Sequence, residues 1–129
     1  MKNTILIIDD DMINCLVYKQ VFKKSDVDLV FAHDGEDGFN KFKEGNYNLV
    51  LLDLGLPKID GLTVASSIRE WEDLRMVFET PIIVVTADNS NETRKKVFAL
   101  GIDQFLVKPF EFEVFLEIVN QFFSKEVKN

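Results

Sequence analysis

The sequence predicts an α/β protein in which helices cover both faces of a parallel β-sheet. Two observations lead to this fold class. Short apolar runs alternate with amphipathic segments along the whole chain, and the pair recurs five times within 129 residues. Strands that are separated by helices run parallel, and their right-handed crossovers place helices on both faces of the sheet. The expected architecture is therefore a doubly wound (βα)5 sandwich of three layers.

Each strand is predicted from a short run of β-branched and other large apolar residues. These runs predict strands at 5–8, 27–31, 47–52, 82–85 and 102–107. The segments between them have apolar residues at helical spacing and predict helices at about 13–21, 39–44, 62–74, 91–100 and 110–123. Asp11 and either Ser90 or Asn91 can cap helices, and Gly45 and Gly101 are expected to end them.

The composition indicates one globular domain over residues 1–124, followed by a C-terminal tail at 125–129. Its net charge of −7 argues against a nucleic-acid surface, which needs clustered Lys and Arg. No apolar run approaches the roughly 20 residues of a membrane-spanning helix, and none fits a signal peptide. Cys15 is the single cysteine, so we expect no internal disulfide, a core position for this thiol and a cytoplasmic location.

Polar side chains that can do chemistry follow four of the predicted strands, at the point where each strand ends. They are Asp9, Asp10, Asp11, Asp53, Thr86 and Lys108. Taken singly, each has an ordinary explanation, such as a helix cap, a solvated turn or a strand position. The carboxyl ends of parallel strands meet at one edge of the sheet, where open α/β sheets bind their ligands. This shared edge therefore predicts one site built from several strands.

The chemistry of this set points to phosphoryl transfer with a divalent cation. Close carboxylates repel one another and stay ionised together only around a cation, and an oxygen-only cluster suits Mg²⁺. Asp53 can then act as a nucleophile and form an acyl phosphate. Lys108 can neutralise the transferring oxygens and pair with Asp53 before transfer, while Thr86 can donate a hydrogen bond. His33 is expected to lie far from this edge, so no zinc site is predicted.

These residues resemble the receiver domain of two-component response regulators. Five stretches carry the resemblance: ILIIDDD (5–11), NLVLLD (48–53), LPKIDG (56–61), PIIVVTA (81–87) and VKPF (107–110). Any one of them is weak, but the five in this order are specific, and the resemblance as a whole extends from about Asn3 to Phe123. The resemblance implies a flavodoxin-like sheet with strand order 2-1-3-4-5 and a switch controlled by phosphorylation.

The resemblance implies a metal ion and a phosphoacceptor at the sheet edge. Asp9 and Asp10 would hold Mg²⁺, one directly and one through water, together with Asp53 and the backbone carbonyl of Gly55. Asp53 would receive its phosphoryl group from a phosphohistidine of a histidine kinase or a histidine phosphotransfer protein. The chain would be a phosphoacceptor that catalyses only its own phosphorylation and dephosphorylation.

The resemblance also implies how the signal leaves the site. Thr86 and Lys108 would contact the phosphoryl group, and the Lys108–Pro109 bond is expected to be cis, which is rare in folded chains. Phosphorylation adds about −1.5 to −2 charge. Thr86 would move inward to meet it, and Phe105 would fill the space behind Thr86.

Two positions depart from the commonest pattern of the family. Phe105 stands where the switch residue is often Tyr, and without a hydroxyl it is expected to favour the buried rotamer. Gly55 places no side chain over the phosphoacceptor, where the family often has a bulkier residue, and Asp88 places an acid nearby. We hypothesise that Gly55 and Asp88 set the lifetime of the phosphorylated state by controlling how water approaches.

The output of the switch is expected to be a protein partner, whose identity the sequence does not indicate. No DNA-binding or enzymatic segment follows Phe123 in this sequence. The expected state is a monomer or a weak, phosphorylation-dependent dimer. Phe112 and Phe123 are the candidates for exposure on the last helix, and an apolar patch there would suggest a docking surface.

The sequence also bears on three other interpretations. An FMN-binding flavodoxin-like carrier would need a Ser-, Thr- and Gly-rich phosphate loop, where Asp9 and its neighbours stand instead. A phosphatase of the haloacid-dehalogenase type would need an acid two residues after Asp53, where Gly55 stands. A receiver excised from a hybrid histidine kinase, acting as a phosphorelay intermediate, remains open, since Asn14 and Thr80 have that character.

Overall fold

The computed structural model describes residues 3–102 and 104–127, in which strands and helices alternate strictly. The strands are β1 (Asn3–Ile8), β2 (Val27–Ala32), β3 (Leu49–Asp53), β4 (Ile82–Thr86) and β5 (Gln104–Val107). The helices are α1 (Met12–Val21), α2 (Gly35–Glu44), α3 (Gly61–Arg75), α4 (Asn91–Ala99) and α5 (Phe112–Val127). No helix in the described part of the chain is both long enough and apolar enough to cross a membrane.

All five strands are parallel and form one sheet in the order β2-β1-β3-β4-β5. This order confirms the predicted fold class. It places β1 and β3 side by side in the centre, with Ile8 in register with Leu52. The residues that follow these two positions, Asp9 and Asp53, therefore leave the sheet as neighbours.

Two apolar layers hold the sheet between the helices, and β1 contributes to both. Leu6 and Ile8 pack on the side covered by α2, α3 and α4, while Ile5 and Ile7 pack on the side covered by α1 and α5. All four side chains are buried. A strand buried on both faces is expected to be apolar throughout, because alternate side chains point to opposite faces.

The main differences from the predicted bounds lie at the ends of elements. β1 begins at Asn3, two residues before the apolar run, because Asn3 and Thr4 pair with Val27 and Asp28 of β2. α5 covers Phe112–Val127, so residues 125–127 of the segment interpreted as a tail are helical. Residues 128 and 129 of that segment lie outside the described residues. The predicted caps of α1 and α4 are confirmed, since Asp11 and Ser90 accept hydrogen bonds from the first helical N–H groups.

Candidate functional site

The candidate site lies at the carboxyl edge of the sheet, where β1, β3, β4 and β5 end. Asp53 is the last residue of β3 and Thr86 the last of β4. Asp9 directly follows β1, and Lys108 directly follows β5, where its N–H donates to the Thr86 carbonyl at 2.8 Å. Parallel pairing thus brings together residues that are far apart in sequence. The predicted single site built from several strands is present.

Lys108 and Asp53 form a direct ion pair. The Lys108 Nζ donates to Asp53 Oδ2 at 2.9 Å, and the two side chains are 29% and 11% exposed. Burial alone would lower the pKa of Lys108. The hydrogen bond and charge of Asp53, followed by the charges of Asp9 and Asp11, outweigh burial and raise the pKa above its usual value. The Lys108 side chain is therefore protonated, and the pairing with Asp53 that was expected before phosphorylation is confirmed.

Asp9, Asp10 and Asp53 each offer one carboxylate oxygen, and these oxygens all lie within 4.8 Å of one another. Asp9 is buried and Asp10 is exposed. Burial raises the pKa of Asp9, the Asp11 N–H lowers it, and the charge of Asp53 raises it further. Such a group of close carboxylates could hold a cation, and a set made only of oxygens suits Mg²⁺ better than zinc.

Two hydrogen bonds fix the buried carboxylate of Asp9. Its Oδ1 accepts from the Asp11 N–H at 2.9 Å, and its Oδ2 accepts from the Asn14 side-chain amide at 3.3 Å. The sequence interpretation gave Asn14 no part in the site. The sequence does hold a signal for this contact. Asn14 lies in the first turn of α1, only five residues after Asp9, and that turn begins at the same edge of the sheet.

The backbone around Asp53 leaves little room on one side and open space on the other. At Gly61 an added Cβ would lie 2.5 Å from the Leu54 Cα and 2.6 Å from the Asp53 carbonyl oxygen, so only glycine fits. At Gly55 an added Cβ would lie 3.7 Å from Asp53 Oδ1, an ordinary contact. The Gly55 N–H donates to that same oxygen at 2.9 Å. Asp53 is therefore open toward Gly55, as expected from the sequence.

His33 does not lie where the sequence interpretation expected it. Its Nδ1 is 3.3 Å from the Asp9 carbonyl oxygen, so the ring is beside the site rather than far from it. The reason is the strand order: β2 neighbours β1, and the residue after Ala32 reaches the same edge as Asp9. His33 is exposed and is not part of the carboxylate group that could hold a metal.

Thr86 and Asp88 are tied together in the loop between β4 and α4. Thr86 is buried, and its hydroxyl oxygen accepts a hydrogen bond from the Asp88 N–H at 3.1 Å. The Asp88 carboxylate accepts from the Thr93 hydroxyl at 2.6 Å and from the Ser90 N–H at 2.9 Å. These bonds, that of Thr93 foremost, lower the pKa of Asp88. The Asp88 carboxylate is therefore held by hydrogen bonds at the start of α4.

Phe105 is half-buried and packs against the apolar core that lies between the sheet and α2, α3 and α4, and its preference for a buried rotamer stays a prediction. The Arg94 guanidinium lies over its ring, with the Cζ 4.6 Å from the centroid. Arg94 is itself held by two hydrogen bonds to Asn89 Oδ1, at 2.7 and 3.1 Å. A cation–π contact thus stabilises the ring in this half-buried position.

A groove of about 460 Å³ opens beside the Asp53–Lys108 pair. Its walls come from α1, from Ala87 and from the segment after β5. The Lys108–Pro109 bond in that segment is cis, as predicted. Phe112 lines the groove and is 36% exposed, whereas Phe123 is 8% exposed and packs in the core. Of the two aromatic residues singled out for exposure, Phe112 alone is at the surface.

Comparison with known proteins places the chain in a family. The family model of the response regulator receiver domain matches residues 5–120. The chain is 35% identical over 106 residues to the transcriptional regulatory protein YclJ of Bacillus subtilis and 36% identical over 110 residues to SrrA of Staphylococcus aureus. These matches cover 82% and 85% of the chain, but only 44% and 43% of the relatives. The chain therefore belongs to the receiver domains of two-component response regulators.

Solved structures agree with this assignment. A Francisella receiver domain superposes with a TM-score of 0.86 at 25% identity, over 97% of this chain and 99% of that one. CheY in a CheX–CheY–BeF3–Mg²⁺ complex from Borrelia burgdorferi gives 0.83 at 28% identity, over 94% and 89%. The Saccharomyces cerevisiae complex of the phosphotransfer protein Ypd1 with the Ssk1 receiver gives 0.81 at 27% identity, over 94% and 88%. The fold and the signalling class are thus shared with these proteins.

Proposed function

We propose that Asp53 accepts a phosphoryl group from a phosphohistidine in a Mg²⁺-dependent reaction, and that this changes the binding of a protein partner. The observation that carries the proposal is the contact of Asp53 with Lys108 on one side and its closeness to the oxygens of Asp9 and Asp10 on the other. A nucleophile, a fixed cation and a metal-binding group meet at one point. A comparable CheY is known in a complex with BeF3 and Mg²⁺.

In the proposed reaction one carboxylate oxygen of Asp53 forms a bond to phosphorus while the phosphorus–nitrogen bond of the donor histidine breaks. The bonding electron pair stays on the imidazole nitrogen. Asp9, Asp10, Asp53 and the Gly55 carbonyl would hold the Mg²⁺, which when bound neutralises charge on the transferring oxygens. Lys108 would move its hydrogen bond from Asp53 to a phosphoryl oxygen, so that its charge stabilises the transition state throughout.

The proposed switch begins at Thr86. Its hydroxyl would donate to a phosphoryl oxygen, which draws the side chain and the attached Asp88 N–H toward Asp53. Phe105 would then enter the space behind Thr86, and this requires the ring to leave the Arg94 guanidinium. The change is a shift between two packings, biased by the added charge.

The partners proposed are a histidine kinase or a histidine phosphotransfer protein, and a downstream protein. A phosphohistidine must come within bonding distance of Asp53, so the surface beside Asp53 must become an interface. The groove lies there and is lined in part by α1, the helix on which Met12, Ile13 and Leu16 are largely exposed. The Ypd1–Ssk1 complex shows that a comparable receiver binds a phosphotransfer protein. The location proposed is the cytoplasm, where the buried free thiol of Cys15 would stay reduced.

The central test is phosphorylation by acetyl phosphate and Mg²⁺, followed by mass spectrometry of the intact protein. We expect one added phosphoryl group in the parent chain and none in Asp53→Ala, because Asp53 is the carboxylate that Lys108 contacts directly. Glu36→Ala, which removes an exposed acid from α2, is the matched control and should be phosphorylated normally. An adduct that survives in Asp53→Ala would refute the assignment.

Gly55→Met is expected to lengthen the life of the phosphorylated state severalfold. A side chain at this position would lie over Asp53 and obstruct water, and the space for its Cβ is available. The measurement is the loss of the phosphoryl group after removal of acetyl phosphate. Gly55→Ala is the control, because its methyl group would touch Asp53 Oδ1 at 3.7 Å without covering it. Equal decay rates in Gly55→Met and the parent chain would contradict the hypothesis.

A further inference from the structure

An exposed apolar patch lies at the edge of the sheet opposite the candidate site. α3 begins beside Asp53 and runs back antiparallel to the strands, so its end and the following loop reach the far edge. Leu74 and Val77 are exposed there, Met76 is 92% exposed, and Phe78 is 99% exposed. A fully exposed phenylalanine has no part in the core, and a group of such residues indicates an interaction surface.

The loop that carries this patch is held in place by a buried ion pair. The Glu72 carboxylate, which is buried, accepts from Arg69 and from the Thr80 N–H, each at 2.7 Å. Arg69 also donates to the Thr80 carbonyl at 3.0 Å. Met76 ends α3 in the left-handed conformation, and the Val77 N–H donates to the Glu72 carbonyl at 3.1 Å. Phe78 is therefore displayed from a fixed loop, which lowers the entropy cost of binding through it.

A groove of about 280 Å³ lies next to the patch, between α2 and α3. Phe39 and Trp71 give it an aromatic lining, and Leu74 belongs both to the groove and to the exposed patch. Basic side chains border it: the Lys43 Nζ lies 4.5 Å from the Phe39 ring centroid, and the Arg75 Cζ lies 4.7 Å from that of Trp71. The groove is thus apolar along Phe39, Trp71 and Leu74, and its border carries both basic side chains, Lys43 and Arg75, and one exposed acid, Glu70.

We propose that this face binds a second copy of the chain in a two-fold symmetric dimer, with Phe78 of each copy in the α2–α3 groove of the other. The groove volume accommodates one aromatic ring. Leu74 lines the groove and also belongs to the exposed patch that carries Phe78, so a two-fold axis near Leu74 would bring the two Leu74 side chains together. Such a surface is complementary to itself, as an isologous interface requires.

Charge supports the same partner. Glu79 directly follows Phe78, and its side chain is 63% exposed, held loosely by Arg69 at 3.7 Å. In the proposed dimer Glu79 of one copy approaches Lys43 of the other, at the end of the groove where Lys43 lies over Phe39. The interface is distant from Asp53, so the dimer forms with or without phosphorylation and goes beyond the proposed function.

The first test is sedimentation equilibrium of the full chain from micromolar to millimolar concentration, together with acrylamide quenching of Trp71, the single tryptophan. We expect a monomer–dimer equilibrium in which dimerisation protects Trp71, since Phe78 covers it. Phe78→Ser should weaken the dimer about tenfold or more, as loss of a central aromatic anchor does. Phe98→Ser, which alters a half-exposed aromatic residue on α4, should leave it unchanged.

The second test exchanges the charges. Lys43→Glu and Glu79→Lys should each weaken the dimer, and the double variant should restore it, because the two residues meet across the interface. A parent chain that stays monomeric at millimolar concentration would overturn the proposal. So would a dimer that is indifferent to Phe78→Ser or one that the double variant does not recover. Asp53→Ala should dimerise normally, which keeps this test independent of the phosphorylation test.

Discussion

Lys108→Gln is expected to slow phosphorylation of Asp53 by acetyl phosphate by about 10²-fold, the usual effect of removing one preorganised charge from a transferring group. The Lys108 Nζ lies 2.9 Å from Asp53 Oδ2 and is firmly charged, since its pKa is raised by the acids around it. Gln keeps an N–H donor, on a side chain one atom shorter, but has no charge. The measurement is the rate at which the phosphorylated mass appears at saturating Mg²⁺.

Mg²⁺ affinity separates this effect from damage to the site. Lys108 offers no metal ligand, so its removal leaves the oxygens of Asp9, Asp10 and Asp53 in place and takes away a competing positive charge. Calorimetric titration should therefore show Mg²⁺ binding that is as strong as in the parent chain, or stronger. A Lys108→Gln protein that is phosphorylated at the parent rate would contradict the role given to this residue.

Phe115→Ala is expected to lower the free energy of unfolding by about 3–5 kcal/mol, the range found for removal of a buried aromatic side chain. Phe115 is fully buried between α5 and the sheet. Its ring packs against those of Tyr18 and Phe110 at centroid distances of 5.6 Å and against Phe22 at 5.9 Å. Urea denaturation should show the loss as a lower midpoint with an unchanged slope.

Phe112→Ala is the matched control for this prediction. Phe112 belongs to the same aromatic cluster, with its ring centroid 6.3 Å from that of Phe115, but it is partly exposed. The expected loss is about 1 kcal/mol, because much of its surface already meets water. Equal losses from the two substitutions would show that the core between the sheet and α5 is not organised around Phe115.

The fold, and the identity of the residues at the carboxyl edge of the sheet, were predictable because they depend on patterns that are local in sequence. Apolar runs mark the strands, and a residue that follows a parallel strand must lie at the carboxyl edge, as Asp9 and Asp53 do. The position of His33 depends on the pairing of β2 with β1, which is not local in sequence. The short distance from His33 to Asp9 follows directly from that pairing.

The remaining features depend on side-chain contacts that sequence spacing does not determine. Arg94 reaches Phe105 from a neighbouring element, and nothing in either segment alone marks the pair. Phe78 falls in a run that could equally have been core, and only the path of the loop after α3 shows that its ring is outside. Such contacts arise when elements pack, so they become visible only in three dimensions.

The contact between Arg94 and Phe105 also affects how much of the unphosphorylated protein adopts the active packing. In the proposed mechanism the ring must leave Arg94 before the active packing can form. An exposed cation–π contact is worth about 0.5–1 kcal/mol, which corresponds to a change of about two- to fivefold in an equilibrium constant. Arg94 would therefore reduce signalling in the absence of phosphorylation by that factor.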